Sequence, residues 1–378
     1  MSDTDTGTDA GTGASAEPSA DAANVRRGRA GAVRAGTGRA RSAAFRLRFL
    51  AVLILLIAVF IFFALTQDRF FTSGNLDALL TSGSILWMVA IGLTFVMLTG
   101  GFDLSLGSLL ALSGIAMGTF VTQWGIPVGW AIAMTVSFGV LVGAIGNGFL
   151  IGKVGLPFLV VTLGTLTLYS GLVNLWSAEV TTEVNSSALT AIAFNNALGI
   201  PVSVWIMAAV WLVALYVQRS TYFGRDVYAV GGSADAAQLS GVRVSRTLIA
   251  VYAIAGGLAG VAGVLQVARI GAASPQVGGT VIFDAAAAVL LGGTSFSGGI
   301  GGVGGTAIGV LFLATLQNGL SVSGVADYWQ QIISGGILIV VVTLDRIQRG
   351  GLSSLRLHAL LTARQGASTA PVASPPRE

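Results

Sequence analysis

Ser84-Ile85-Leu86-Trp87-Met88-Val89-Ala90-Ile91-Gly92-Leu93-Thr94-Phe95-Val96-Met97-Leu98-Thr99 carries no charge. It leads into Gly100-Gly101-Phe102-Asp103-Leu104-Ser105-Leu106-Gly107, and an uncharged sequence resumes through Thr122. Two apolar runs are thus separated by an acid, a hydroxyl and three glycines. An aspartate at mid-bilayer costs roughly 2.5–3.5 kcal/mol on insertion scales, so Asp103 needs a partner, water or a place near the interface. Two readings stay open. The stretch is either a broken helix lining a translocation route, or a tight turn in which Asp103 or Ser105 caps the next helix by accepting its free N–H groups.

Composition carries the same message outward to the whole chain. Of 378 residues, 54% are hydrophobic and 10% charged, against about 25% charged in soluble domains; mean hydropathy is +0.82. The apolar content excludes disorder, the unperiodic glycines exclude collagen, and the lack of cysteine excludes a disulfide scaffold. Barrels read as ten-residue alternating segments, whereas here the apolar runs are long and unbroken. The expected class is therefore an all-α polytopic membrane protein with about ten transmembrane helices, some of them interrupted. The spans are read at 49–65, 84–99, 105–122, 127–151, 156–176, 200–217, 247–268, 284–297, 303–321 and 329–344, a full crossing taking about 20 residues.

Residues 1–48 hold small polar residues, five acids and eight arginines, and are expected to form a disordered cytoplasmic tail. A second cytoplasmic tail is expected over 346–378, leaving 49–345 as the transmembrane domain. With both termini inside, 18 of the 20 basic residues fall on the cytoplasmic side and only Arg69 and Arg269 face outward, as the positive-inside rule requires.

Scarce residues limit the chemistry. Without cysteine there is no thiolate metal site or redox pair, and the single histidine, His358, lies in the C-terminal tail. No metal site and no catalytic residue is expected. A P-loop needs Gly-Lys-Ser/Thr, but the only lysine, Lys153, is followed by Val154 and Gly155. Any ATP used must bind another chain. An ion-coupled transporter would place ionisable groups mid-span, where only Asp103 and Asp284 are available.

A second interruption is Gly292-Gly293-Thr294-Ser295-Phe296-Ser297-Gly298-Gly299, continuing to Gly305 with eight glycines in fourteen residues. Its frame, Gly-Gly-x-x-x-Ser-x-Gly, repeats that of 100–107 at an offset of 192 residues; duplicated halves with interrupted helices are common in transporters. Asp284, one short helix earlier, is read as an N-cap rather than a ligand. Most other glycines, such as Gly139–Gly143 and Gly256–Gly260, read as sites of close helix approach.

The longest internal cytoplasmic loop, 218–246, should form two helical turns over Ala234–Ser240. Ala236, Ala237 and Leu239 would then be exposed and Gly241 would close the helix. It serves either a partner or the lipid headgroups.

At these residues the chain resembles the permease subunits of bacterial ABC importers of the ribose/xylose type. Gly101–Ser108 resembles their Gly-Ile-Asp-Leu-Ser-Val-Gly-Ser, with Phe102 and Leu106 as departures. Val161-Thr162-Leu163-Gly164-Thr165 resembles their Val-Thr-Leu-Gly-Thr. Gly231-Gly232-Ser233 with Ala236-Ala237 and Leu239-Ser240-Gly241-Val242 resembles their cytoplasmic loop, Ser233 standing where many have Asn. Val289-Leu290-Leu291-Gly292-Gly293-Thr294-Ser295 is similar to a fourth stretch. The likeness runs from about 49 to 345.

The resemblance implies a type II importer arrangement in the bacterial plasma membrane, with both termini cytoplasmic. The implied partners are a second permease copy or homologue, a cytoplasmic ATPase holding ATP and magnesium, and an extracytoplasmic sugar-binding protein; no nucleic acid is expected. It assigns ATPase coupling to Gly232, Ala234, Asp235, Ala236, Ala237, Gln238, Leu239, Ser240 and Gly241. A sugar route needs hydroxyls and amides with few fixed charges. The candidates are Asp103 and Ser105 with Asn147, Thr162, Thr165, Asn174, Thr294, Ser295, Gln317 and Asn318; such groups also serve as helix-to-helix glue. Alternatives within the same architecture are branched-chain amino acids, nucleosides or a signalling sugar.

Overall fold

The computed structural model describes residues 49–347, so both expected tails, and His358, lie essentially outside the described residues. Each apolar run becomes a helix: α1 (Phe49–Thr66), α2 (Ser73–Leu98), α3 (Leu106–Thr122), α4 (Val128–Val142), α5 (Phe158–Ser177), α6 (Ser187–Phe194), α7 (Val202–Ser220), α8 (Tyr222–Gly232), α9 (Ala234–Leu239), α10 (Val244–Ile270), α11 (Val281–Leu291), α12 (Val303–Val322) and α13 (Asp327–Arg346). A π-helical stretch, Gly143–Val154, continues α4 without a break. Among the described residues eight helices are long and apolar enough to cross a membrane, with α3 and α11 as shorter apolar helices. Eight long and two short helices account for the ten expected spans.

Two boundaries differ from the sequence reading for a physical reason. The second span begins at Ser73 rather than 84, because polar residues in its first three turns line a cleft instead of ending the helix; Thr72 caps it by accepting from the Asn75 N–H. The eighth ends at Leu291 rather than 297, because Gly293, Gly298 and Gly299 take positive φ and no helix can continue through them. Asp284 is not an N-cap. Its helix starts at Val281 after Thr280, leaving Asp284 in the first turn.

The helices sort by exposure. In α2, 89% of the most apolar window is buried, and in α10 and α12 61%, against 11–28% in α1, α4, α5, α7 and α13. The enclosed helices form the core; the others turn apolar side chains such as Ile54, Leu141, Val160, Leu212 and Ile339 outward, as lipid contact requires. Where helix faces turn away from lipid, backbones meet directly. Gly139 and Gly143 face Gly256, where a Cβ on either side would fall on the opposite backbone. Buried Thr94 and Thr306 join α2 to α12 through their hydroxyls at 2.7 Å.

Two short ladders close the end where α2 begins. β1 (Thr182–Glu183) pairs antiparallel with β4 (Ala272–Ala273), and β2 (Asn196–Ala197) with β3 (Ile200–Pro201). The first ties the loop after α5 to the loop after α10, helped by Val184 N–H donating to Gly271 C=O at 2.8 Å.

Gly256→Leu is expected to force α4 and α10 apart, costing about 1–3 kcal/mol or more. Gly164→Ala, where no neighbouring atom stands within 4 Å, should be harmless. Thermal unfolding followed by size-exclusion chromatography in detergent separates the two; equal melting would contradict the packing described.

Candidate functional site

A cleft of about 870 Å3 opens between the first half of α2, the end of α10, the starts of α11 and α13 and the second half of α12. A hollow of about 640 Å3 adjoins it and shares Asp284, Gln317, Asp327 and Gln330. These volumes suit a small solute. Amides and hydroxyls make up most of the polar lining, and the carboxylate of Asp284 is flanked by the side chains of Gln317 and Ser334; Gln317 Nε2 donates to Ser334 Oγ at 3.3 Å. On the α2 side, Asn75 and Asn318 exchange hydrogen bonds at 2.9 and 3.0 Å. Arg69 and Arg269 complete the rim. Neutral polyhydroxylated molecules match such a lining, since amides and a carboxylate offer donors and acceptors without a dominant charge.

At the other end of α2, about 39 Å away by helix rise, the two glycine-rich interruptions meet each other. Leu98 C=O accepts from Gly299 N–H at 2.9 Å, and the Phe102 and Phe296 rings lie 5.5 Å apart. Gly231, near the end of α8, abuts the same Leu98 carbonyl so closely that no side chain could be added. Thr294 and Ser295 are spent within the second interruption. Thr294 Oγ1 accepts from Gly302 N–H at 3.2 Å, and Ser295 Oγ from Ser297 N–H at 3.0 Å.

Asp103 is 1% exposed and fully engaged. Its Oδ1 accepts from Ser105 N–H at 2.9 Å and Ser105 Oγ at 2.6 Å, and its Oδ2 from Asn147 Nδ2 at 3.0 Å. Asn147 also donates to Ser105 Oγ at 2.8 Å and accepts from Thr165 Oγ1 at 2.7 Å. The network thus ties the entry of α3 to the π-helical stretch and α5. The carboxylate bonds the N–H of Ser105, the N-cap position of α3, but neither Asp103 nor Ser105 accepts from the first N–H groups inside the helix, and Asp103 does not line the cleft.

α8 and α9 form a bent pair at that same end. Thr221 Oγ1 caps α8 by accepting from Gly224 N–H, and Ser233 Oγ caps α9 by accepting from Ala236 N–H. α9 spans Ala234–Leu239 with Gly241 at φ +87°, as the sequence reading expected. Leu239 is 91% exposed and Ala236 is exposed, but Ala237 is buried. That corrects the expectation of three exposed residues, because the single turn-and-a-half of α9 must rest one face on the bundle. Arg225 stacks over the exposed Tyr222 ring at 4.3 Å. Burial holds the Tyr228 phenol above its usual pKa against the opposing effects of Gln218 and Arg219, so it remains a proton donor.

Of the predicted pathway residues, Gln317 and Asn318 line the cleft. Asp103, Ser105, Asn147 and Thr165 gather in one buried network, Asn174 is exposed, and Thr162 is buried with its hydroxyl unpartnered. Sequence reasoning missed Asn75, Gln266, Arg269, Gln330 and Ser334 in the cleft or its adjoining hollow, and misread Asp284. The available signal was helical spacing, since Gln317 and Ser321 lie four residues apart on α12. No group of three or more His, Cys, Asp or Glu able to hold a metal occurs among the described residues.

A polytopic bundle with a polar cleft at one end and a protruding helix pair at the other defines a permease. The chain belongs to the family described as "Branched-chain amino acid transport system / permease component", which matches residues 75–342. It is 38% identical over 302 residues to the ribose import permease protein of Escherichia coli K12, covering 78% of this chain and 92% of that one. It is 36% identical over 307 residues to the ribose import permease of Bacillus subtilis 168, covering 79% and 91%. To the xylose transport system permease of Haemophilus influenzae Rd it is 33% identical over 362 residues, covering 78% and 96%. No solved structure gives a significant match.

Asp103→Ala should leave the Ser105 N–H and hydroxyl without their acceptor and take one of two from the Asn147 amide, at about 1–3 kcal/mol for each buried group left unsatisfied. Asn174→Ala, at an exposed position, should change little. Comparison of melting temperatures tests this, and a melt for Asp103→Ala equal to the parent's would exclude the network as a stabilising element.

Proposed function

We propose that the chain is the membrane-spanning subunit of an ATP-driven importer that passes a monosaccharide of the ribose or xylose kind. The observation that carries this reading is the cleft, uncharged over most of its lining and sized for a small solute, in a chain whose relatives are named for ribose and xylose. Although the family's description mentions branched-chain amino acids, these named relatives favour a sugar.

The cleft faces outward, with Arg69 and Arg269, and receives the sugar from an extracytoplasmic binding protein. α8 and α9 face the cytoplasm together with both termini, and Ala234 through Gly241 dock a separate ATPase that supplies ATP and magnesium. Tyr222 and Leu239, large apolar side chains left in water at more than 80% exposure, support docking there. A second permease copy or a homologue completes the membrane unit.

The mechanism is alternating access. In this conformation the cleft is open and its inner end is shut where Leu98 meets Gly299. α2, α11 and α12 each run from the cleft to that closure, so one displacement can close the mouth and part the two glycine-rich interruptions. Such a change must be driven by a ligand that binds the two states differently. ATP binding on the partner provides it. Asp284, Gln317 and Asn318 hold sugar hydroxyls by exchangeable hydrogen bonds, while the site stays weak enough for release.

In vesicles containing the complete transporter, Asp284→Ala is expected to lower sugar uptake at least tenfold while ATPase co-purification is unchanged. Ala236→Arg should do the reverse, abolishing co-purification and stimulated hydrolysis with insertion intact. Uphill uptake by the chain alone would overturn the whole reading, and inhibition by leucine but not ribose would overturn the sugar assignment.

A further inference from the structure

α12 begins with an uncapped end. Its N-cap position is Gly302, which has no side chain to satisfy the first free N–H groups. The cap comes instead from another helix: Gln218 Oε1, near the end of α7, accepts from Val303 N–H at 2.9 Å. Gln218 is buried, and its amide is oriented by Tyr228 of α8, whose hydroxyl accepts from Gln218 Nε2. The same hydroxyl donates to Gly301 C=O at 2.6 Å. Trp211 Nε1 donates to Val303 C=O at 3.1 Å, so side chains of α7 and α8 hold Gly301 and Val303 together. Gly301 and Gly302 have φ of +115° and +154°, and a Cβ at Gly302 would strike the Gln218 amide. The clamp therefore needs both glycines.

What it grips is the near end of a lever. α12 runs about 30 Å by helix rise, and its far end presents Ala314, Gln317, Asn318 and Ser321 to the cleft. α8 is itself joined end to end with α9, with Ser233 N–H bonded back to Ala229 C=O and Ser233 C=O accepting from Ala237 N–H.

We propose that Gln218 and Tyr228 are positioning residues that couple the α8–α9 pair to the cleft by fixing the start of α12. The role of α8–α9 as the docking element rests on the proposed function above, whereas the clamp and its link to the cleft are properties of this chain alone.

The absence of cysteine makes a single introduced thiol a clean reporter. Ser321→Cys in the cleft and Asn185→Cys in the loop after α5 are each labelled with a water-soluble maleimide in lipid nanodiscs, in the parent and in Tyr228→Phe. The expected result is at least a threefold change in the Ser321→Cys rate, with Asn185→Cys unchanged. Gln218→Met, which removes the cap itself, should shift the Ser321→Cys rate in the same direction. Unchanged Ser321→Cys labelling in both folded variants overturns the proposal. So does equal change at both reporters, or failure of both variants to fold, since either marks a general structural role. The labelling needs no partner protein, so a failure of the docking reading would show separately, as unimpaired ATPase co-purification by Ala236→Arg.

Discussion

The hydrogen bond from Gly299 N–H to Leu98 C=O joins two segments that are far apart in sequence and whose backbone groups leave the helical ladder. In a bilayer every such group must be satisfied by protein. Here the second interruption supplies a donor to the last carbonyl of α2, and glycine allows the approach: Gly231 and Gly298 stand so close to Leu98 and Gly100 that a side chain on either would meet backbone. The closure at one end of the bundle, and the helices that radiate from it, depend on this junction.

Opposite consequences follow at the two ends of the same helices. Close to the junction, small residues bring α2, α11, α12 and α8 together. Toward the other end, polar side chains hold α2 and α12 together through Asn75 and Asn318 while α10, α11 and α13 stand back, and the space between them is the cleft. Because lipid tails provide no hydrophobic drive for helices to associate, close backbone packing and interhelical hydrogen bonds carry the assembly. The buried Asp103–Ser105–Asn147–Thr165 network does so beside the first interruption.

Much of the architecture was legible because it follows from one-dimensional properties. Apolar length gave the spans, and arginine distribution gave the expected sidedness. Glycine with Ser233 and Gly241 at its flanks marked α9. The start of α2 was not legible, since hydropathy treats Asn75 and Ser82 as loop residues and has no means of knowing that a polar cleft lies beside them. Asp284 was misread for the same reason, an acid near a helix start being more commonly a cap than part of a cleft. Asp103 was correctly flagged as needing a partner, but its acceptor role toward Asn147, 44 residues away, has no local signature.

The sequence by itself determined that this is a multi-pass helical membrane protein with two glycine-rich interruptions and no P-loop of its own. Those facts rest on composition and spacing, which lipid and backbone sterics translate directly into structure. Only the tertiary structure decided that the interruptions close on each other, that Gln218 caps a helix from which it is 85 residues distant, and that Asp284, Gln317 and Ser334 share one cleft. Each of these depends on which helix stands beside which, and that arrangement is settled by three-dimensional packing rather than by any local run of residues.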